Sequence, residues 1–240
     1  MKNFELIRFG NDSELARAVA EEWLNDTEAA NRSGAPNGVA LSGGRIARKL
    51  FSAASEQAKT SRHGLKSVQF FWADERCVPP DDAESNFRVA RELLFTPLRI
   101  PDEQIHRIPG EEPPAVAAAK AEAEICRIAP LNSGGQPILN LILLGMGEDG
   151  HVASLFPGEP ETVTANTAAY RVVTAVKPPP LRITMGYLAI AAAQQVWVLA
   201  SGQGKEAALR ESLSPTGQTP LARVLKSRAL TRIFAETQMG

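Results

Sequence analysis

The sequence predicts an α/β protein, a mostly parallel sheet with helices on both faces. Three observations carry that expectation. Short apolar runs of strand length alternate with longer stretches of helical periodicity along the whole chain. The most apolar run, Ile138 to Leu144, is nearly continuous Ile and Leu, as in a strand covered on both faces. Several runs end in short polar turns that carry Gly, Arg, Lys or His, the pattern of strand ends that feed helices.

Each element follows from local chemistry. Asn11 and Glu14 make a capping-box pattern, and Leu15, Val19 and Trp23 recur at helical spacing, so a helix is expected to about Ala30. A loop through Gly34 to Gly38 leads to a short strand, Gly38 to Leu41. Ser42-Gly43-Gly44 follows, then a helix carrying Ile46, Leu50 and Phe51. Val68 to Ala73 is the second expected strand and ends in Asp74-Glu75-Arg76. A Pro-Pro-Asp-Asp loop then precedes a helix with Phe87, Ala90, Leu93 and Leu94 on one face. Pro113-Pro114 opens an alanine-rich helix, a place where proline is tolerated. After Ile138 to Leu144, strands are expected at Arg171 to Val176, stopped by three prolines, and at Val196 to Ala200. Ser201-Gly202-Gln203-Gly204-Lys205 then leads into a helix, and Leu230 to Ala235 is a last short strand.

The chain has 240 residues, 44% hydrophobic and 22% charged, which suits a globular protein with a sizeable core. A single domain over 1–240 is expected; Gly110 to Pro114 is the weakest candidate boundary and does not divide it. The formal net charge of −1 gives no global field for nucleic acid or an anionic membrane. An anionic ligand must therefore be held by a local group of Arg and Lys. Cys77 and Cys126 stand far apart and make no disulfide framework, so reduced thiols are expected. The N-terminus has no long apolar segment, and no apolar run reaches the ~18 residues that span a bilayer. Together these predict a cytoplasmic protein with a small-molecule partner, no nucleic-acid or membrane partner, and a monomeric or small homo-oligomeric state.

In an open α/β sheet, ligands bind outside the carboxyl ends of the strands. Five polar tips follow the expected strands: Ser42 to Arg45, Asp74 to Arg76, Gly145 to His151, Lys177 to Arg182, and Ser201 to Lys205. If the strands are parallel, these tips share one edge. Ser42-Gly43-Gly44 and Ser201 to Lys205 suit an anion, because glycine lets the backbone approach closely and helix N-terminal N–H groups favour negative charge. As bare turns they would serve equally well. Gly145-Met146-Gly147-Glu148-Asp149-Gly150 has the form of a dinucleotide fingerprint. It lies past mid-chain, Glu148 and Asp149 would repel a pyrophosphate, and Tyr170 and Arg171 stand where that motif needs an acid. A nicotinamide or flavin site is therefore excluded, and no cofactor is expected.

His151 follows two carboxylates and three glycines at a strand end. A neutral imidazole is a suitable general base near neutral pH. Asp149 or Glu148 is placed to orient it and to stabilise its protonated form; the alternative is an exposed capping histidine. His63 reads as solvated loop and His106 as structural. Three scattered histidines without cysteine partners make a dedicated metal site unexpected. Cys77 follows Arg76, which would lower its pKa, but no histidine is near it in sequence, and it reads as a bystander. Ser42 lacks the Gly-x-Ser-x-Gly elbow of a nucleophile.

These residues also carry a resemblance. Leu143 to Gly158, running through Gly145-Met146-Gly147-Glu148-Asp149-Gly150-His151 to Val152-Ala153-Ser154-Leu155-Phe156-Pro157, resembles the signature of the 6-phosphogluconolactonases. Asp74-Glu75-Arg76-Cys77-Val78-Pro79 with Ser85-Asn86-Phe87, Ser42-Gly43-Gly44, and Lys177 to Thr184 with Gly204-Lys205 match in the same order. The resemblance implies a Rossmann-like fold shared with glucosamine-6-phosphate deaminases and ribose-5-phosphate isomerases. It implies hydrolysis of 6-phospho-D-glucono-1,5-lactone, the second step of the oxidative pentose phosphate pathway. Deaminases typically continue Asp-Gly-His with Ile-Ala-Phe-Asn-Glu-Pro, and this chain does not. It departs from the family at Arg45-Ile46-Ala47, where Ser or Arg, a small polar residue and proline are usual.

On that reading His151 is the general base, Asp149 fixes its ring, and Arg76 or a backbone N–H stabilises the oxyanion. The phosphate falls to Arg182, Lys205 and the Ser42-Gly43-Gly44 backbone, with Arg45 beside it. A sugar-phosphate isomerase or deaminase, and a non-catalytic sugar-phosphate sensor, are the alternatives on the same scaffold.

Overall fold

The computed structural model describes residues 3–34, 37–60, 64–65 and 67–237. His63 and the Ala35-Pro36 part of the first expected loop lie outside them. In chain order the elements are β1 (Phe4–Phe9), α1 (Asp12–Ser33), β2 (Asn37–Leu41), α2 (Arg45–Thr60), β3 (Val68–Trp72), β4 (Asp74–Arg76) and α3 (Asn86–Ala90). A π-helical turn, Arg91–Phe95, joins α3 to α4 (Thr96–Leu98). Then follow α5 (Pro114–Ile128), β5 (Leu141–Gly145), α6 (Glu161–Thr164), β6 (Tyr170–Thr174), β7 (Leu181–Met185), α7 (Tyr187–Ala192), β8 (Gln195–Ala200), α8 (Glu206–Ser212), α9 (Pro220–Lys226) and β9 (Thr231–Glu236).

Six strands form one parallel sheet in the order β1-β9-β8-β5-β2-β3. The β2-α2-β3 crossover moves toward one edge, and the crossover from β8 through α8 and α9 to β9 moves toward the other. Such crossovers are right-handed, so α2 and α9 cover opposite faces. Accordingly α1 packs on α2, and α9 packs on α7 and α8. The sheet centre is the expected all-apolar strand: Leu141 to Leu144 are buried on β5, each side chain contributing about 2 kcal/mol of hydrophobic burial. Asn140, which interrupts the apolar run, has a ladder role. Its Oδ1 accepts the Gly38 N–H at 2.9 Å, and its own N–H donates to the Gly38 carbonyl at 2.9 Å.

Helix α1 begins as its cap predicts. Asn11 Oδ1 accepts the N–H groups of Ser13 and Glu14, and Glu14 Oε2 accepts from Gly10 N–H at 3.0 Å. It runs one turn past Ala30 and stops at Gly34 in the left-handed conformation (φ 67°). The helix expected around Phe87 differs in its buried face. Val89, Ala90, Leu94 and Phe95 are buried, while Phe87 and Leu93 are only partly so. The π turn adds a residue to the repeat and carries the inward face from spacing i+4 to i+5.

The second sheet departs most from the sequence expectation. β4, β7 and β6 form a small antiparallel sheet. The strand expected at Arg171 to Val176 belongs here, and Lys177 to Arg182 is a hairpin connection entering β7, not the end of a parallel strand. Asp74 to Arg76, expected as a loop tip, is a strand. The main-chain link between the sheets is Ala73, which donates to the Leu41 carbonyl at 2.8 Å and accepts from Met185 N–H at 2.7 Å. One apolar cluster contains β5 together with Tyr170, Ile183 and Met185 of the small sheet.

Candidate active site

Because the six strands are parallel, the ends of β2, β5 and β8 open on one edge, and the small sheet closes one side of it. A cleft of about 120 Å³ lies there, lined by residues from Ser42 to Ile46, by Asp74, Arg76 and Asn86, by Gly145, Met146, His151 and Ala153, and by Arg182 and Lys205. Every residue expected at the site from sequence lines it except Asp149, which holds His151 from behind. Arg182 arrives by an unexpected route: it sits inside β7, directly across from Arg76 of β4.

His151 is fixed by three contacts. Asp149 Oδ1 lies 2.6 Å from His151 Nδ1 and accepts the His151 backbone N–H at 3.0 Å. The imidazole also packs against the Phe156 ring, with centroids 5.0 Å apart. Of the two carboxylates left open by the sequence, Asp149 is thus the one that orients the ring. Burial pushes the Asp149 carboxyl up, but the His151 backbone N–H, the His151 charge and the ring contact outweigh it and hold the group below its usual range. The turn is tight: Gly150 N–H donates to the Gly147 carbonyl and Gly147 N–H to the His151 carbonyl. A Cβ at Gly147 would overlap the imidazole itself.

The cleft carries four cations, Arg45, Arg76, Arg182 and Lys205, against one carboxylate, Asp74. Burial lowers the pKa of Lys205 and the nearby Arg45 charge lowers it further, with Glu148 and Glu236 pulling the other way. Burial likewise lowers Arg182, with Arg76 adding to the effect and Asp74 and Glu84 opposing it. Two pairs of like charges therefore face each other across a small space, and an anion placed between them relieves both. Ser42 Oγ and Arg76 Nε, both buried on this wall, have no hydrogen-bond partner among the described residues. Among the described residues no base is bonded to Ser42 Oγ. The Arg45 guanidinium lies over Gly202, so the tips of β2 and β8 meet.

Two wall residues with polar side chains were not assigned to the site from sequence. Asp74 is buried, and its Oδ2 accepts from Ser154 Oγ at 2.7 Å. Asn86 donates from Nδ2 to the Asp74 carbonyl at 2.9 Å and sits so close to Gly43 that a Cβ there would overlap its amide. The signal for Asn86 was the Ser85-Asn86-Phe87 match, which carried no role.

The remaining candidates fall outside the cleft. His106 lies between Glu124 and Gln69, with its ring nitrogens 2.9 and 2.6 Å from their oxygens, and stacks on Phe71. It is structural, as expected. Cys77 and Cys126 are free. Burial pushes the Cys77 thiol up, and Glu75 adds to this, so Arg76 does not activate it. Among the described residues no group of three or more His, Cys, Asp or Glu side chains is arranged to hold a metal ion. Among them also, no helix is long and apolar enough to cross a membrane.

Glu75, between the two cleft residues of β4, is 2% exposed. Burial pushes its carboxyl up to about 7, against the N–H groups of Asn86, Phe87 and Arg76, which pull it down, while Asp74 adds a smaller upward push. Below about pH 7 the folded state thus holds a proton that the unfolded chain loses near pH 4.5, and above it the ionised carboxylate stands among its donors. Its stabilising effect is full below that pH and is lost as pH rises through about 7. The stability of wild type relative to Glu75→Gln is expected to decline between pH 5 and pH 8 in denaturant titrations; a pH-independent difference would contradict the assignment.

A parallel sheet whose carboxyl edge carries a cationic, histidine-bearing cleft defines the chain as an α/β protein with a candidate site for a small molecule. Comparison with known proteins narrows this. Residues 10–233 match the family model for glucosamine-6-phosphate isomerases/6-phosphogluconolactonase. The chain is 36% identical over 211 residues to the 6-phosphogluconolactonase of Treponema pallidum, covering 87% of this chain and 86% of that protein. It is 32% identical over 206 residues to the Haemophilus influenzae 6-phosphogluconolactonase, covering 84% and 85%. The solved 6-phosphogluconolactonase structure from Trypanosoma brucei superposes with a TM-score of 0.85 at 26% identity, over 100% of this chain and 97% of that one. A monomeric glucosamine-6-phosphate deaminase shares the fold at 16% identity, with a TM-score of 0.82 over 98% of each chain. The chain belongs to the 6-phosphogluconolactonase family, and it is a lactonase.

Proposed function

We propose that the cleft hydrolyses 6-phospho-D-glucono-1,5-lactone to 6-phospho-D-gluconate, with His151 as general base. The observation that carries this reading is the Asp149–His151 pair, 2.6 Å apart, at a wall bearing four cations. With Nδ1 engaged by Asp149, His151 Nε2 is the free nitrogen. It takes a proton from water as the water oxygen bonds to the lactone carbonyl carbon. Charge moves to the carbonyl oxygen, where Arg76 stabilises it. Collapse breaks the bond to the ring oxygen, and the imidazolium returns its proton there. No net redox change occurs. Arg182, Lys205, Arg45 and the Ser42-Gly43-Gly44 loop take the phosphate, which also relieves the repulsion between the cations.

The test couples glucose-6-phosphate oxidation to this protein and follows acid release. A rate above spontaneous opening, without ammonia release from glucosamine 6-phosphate, supports the reading; the reverse pattern favours the deaminase alternative. Lys205→Met should raise KM about tenfold or more with kcat within a factor of about three, since it removes ground-state phosphate binding. An unchanged KM would remove Lys205 from the phosphate site.

A further inference from the structure

We infer that Glu75 is a positioning residue for the reaction: its buried carboxylate locks the Arg76 strand to helix α3 and so fixes the Arg76 guanidinium in the cleft. The inference rests on the reading of Arg76 as the oxyanion partner. β4 is three residues long, and strand side chains alternate. Asp74 and Arg76 line the cleft, and Glu75 faces away, toward the start of α3.

There it gathers four donors. Oε1 accepts the backbone N–H groups of Arg76 at 2.7 Å and Asn86 at 2.8 Å. Oε2 accepts Phe87 N–H at 2.7 Å and Ser85 Oγ at 3.2 Å. The first N–H groups of a helix lack partners within it, and a buried carboxylate with two oxygens satisfies two of them together with the strand. The segment between, 77–85, is closed by its own bonds: Asp82 N–H to the Pro79 carbonyl, Ser85 N–H to the Asp82 carbonyl, and Glu84 N–H to Asp82 Oδ1. Arg76 Nη1 donates to the Glu84 carbonyl at 2.5 Å. The guanidinium is thus held by a loop whose two ends the Glu75 carboxylate ties together. Asn86, bonded to the same carboxylate, carries the tie to the Asp74 carbonyl and abuts Gly43.

A glutamine at 75 keeps the volume but offers only one acceptor oxygen, and its NH₂ faces either the Phe87 and Ser85 donors or the Arg76 and Asn86 N–H groups. The experiment is a double-mutant cycle on lactone hydrolysis at pH 7.5 with Glu75→Gln, Arg76→Met and both together. Each protein's folded fraction is set by circular dichroism and thermal melts, and Ser85→Ala serves as a milder variant should Glu75→Gln fold poorly. Expected is a fall in kcat of about tenfold for Glu75→Gln, with KM within a factor of about three, and a double variant no slower than Arg76→Met, as for residues acting through one contact. Ser85→Ala should fall the same way by a smaller factor. If Arg76→Met slows the reaction while Glu75→Gln does not, or if the two losses multiply, the positioning role is wrong and the Arg76 reading stands. If Arg76→Met leaves kcat intact, both fall.

Discussion

His151→Ala is expected to lower kcat by about 10²–10⁴-fold, the range that a positioned acid–base group contributes, while KM stays within a factor of a few. On the proposed reading the side chain serves the lactone, whereas the cations assigned to the phosphate come from β7 and from the tips after β2 and β8. Loss of the imidazole removes both the base for water and the acid for the ring oxygen. Residual hydrolysis above the spontaneous rate is still expected, because Arg76 and the phosphate grip remain to hold the lactone and its developing charge. Single-turnover rates corrected for spontaneous opening are the measurement. A His151→Ala protein working at near wild-type rate would end the assignment.

Gly147→Ala is expected to cost at least about 10²-fold in kcat although it deletes no functional group. The added methyl would occupy the space of the imidazole. The backbone at Gly147 cannot retreat, since it is tied to the His151 carbonyl and to Gly150 N–H, so the ring must leave Asp149. Displacing a catalytic group by about 1 Å can cost that much without any loss of fold. The check is a kcat measurement beside a thermal melt. Full activity with an unperturbed melt would show that the imidazole does not work from its position against Gly147.

These two positions differ in how far the sequence reveals them. His151 was legible because its chemistry is local: a titratable ring, two carboxylates and three glycines at the end of an apolar strand. Gly43, Gly44, Arg45 and Lys205 were legible for the same reason, since a parallel sheet brings strand tips to one edge whatever their order. Arg182 does line the cleft, but it reaches it by another route than the sequence suggests. Its hairpin looks like a strand tip in sequence, and only the pairing of Arg76 with Arg182 identifies an antiparallel sheet. Asn86 and Glu75 were opaque because their meaning is non-local. One abuts a glycine 43 positions away, and the other closes a loop through backbone donors that no side-chain pattern encodes. β1 was missed because it is an edge strand: Phe4, Leu6, Ile7 and Phe9 are only partly buried, so no all-apolar run marks it. The shifted face around Leu94 needed the π turn, for which the periodicity gave no warning.

The outer position of β1 has a further consequence, in the order of events when the chain is made. Among the described residues its only strand neighbour is β9, with Phe4 opposite Thr231 and Phe9 opposite Glu236. β1 is therefore made before every other strand described here, yet finds no strand partner among them until β9 has followed. Closing so long a span carries a large chain-entropy cost and puts the pairing among the slow, late contacts of folding. Until then the sheet ends on β8, paired with β5 but open on its outer edge, and α1 has one of its supporting strands missing. The inner strands thus join first, and the earliest of these six strands is the last to be sealed in.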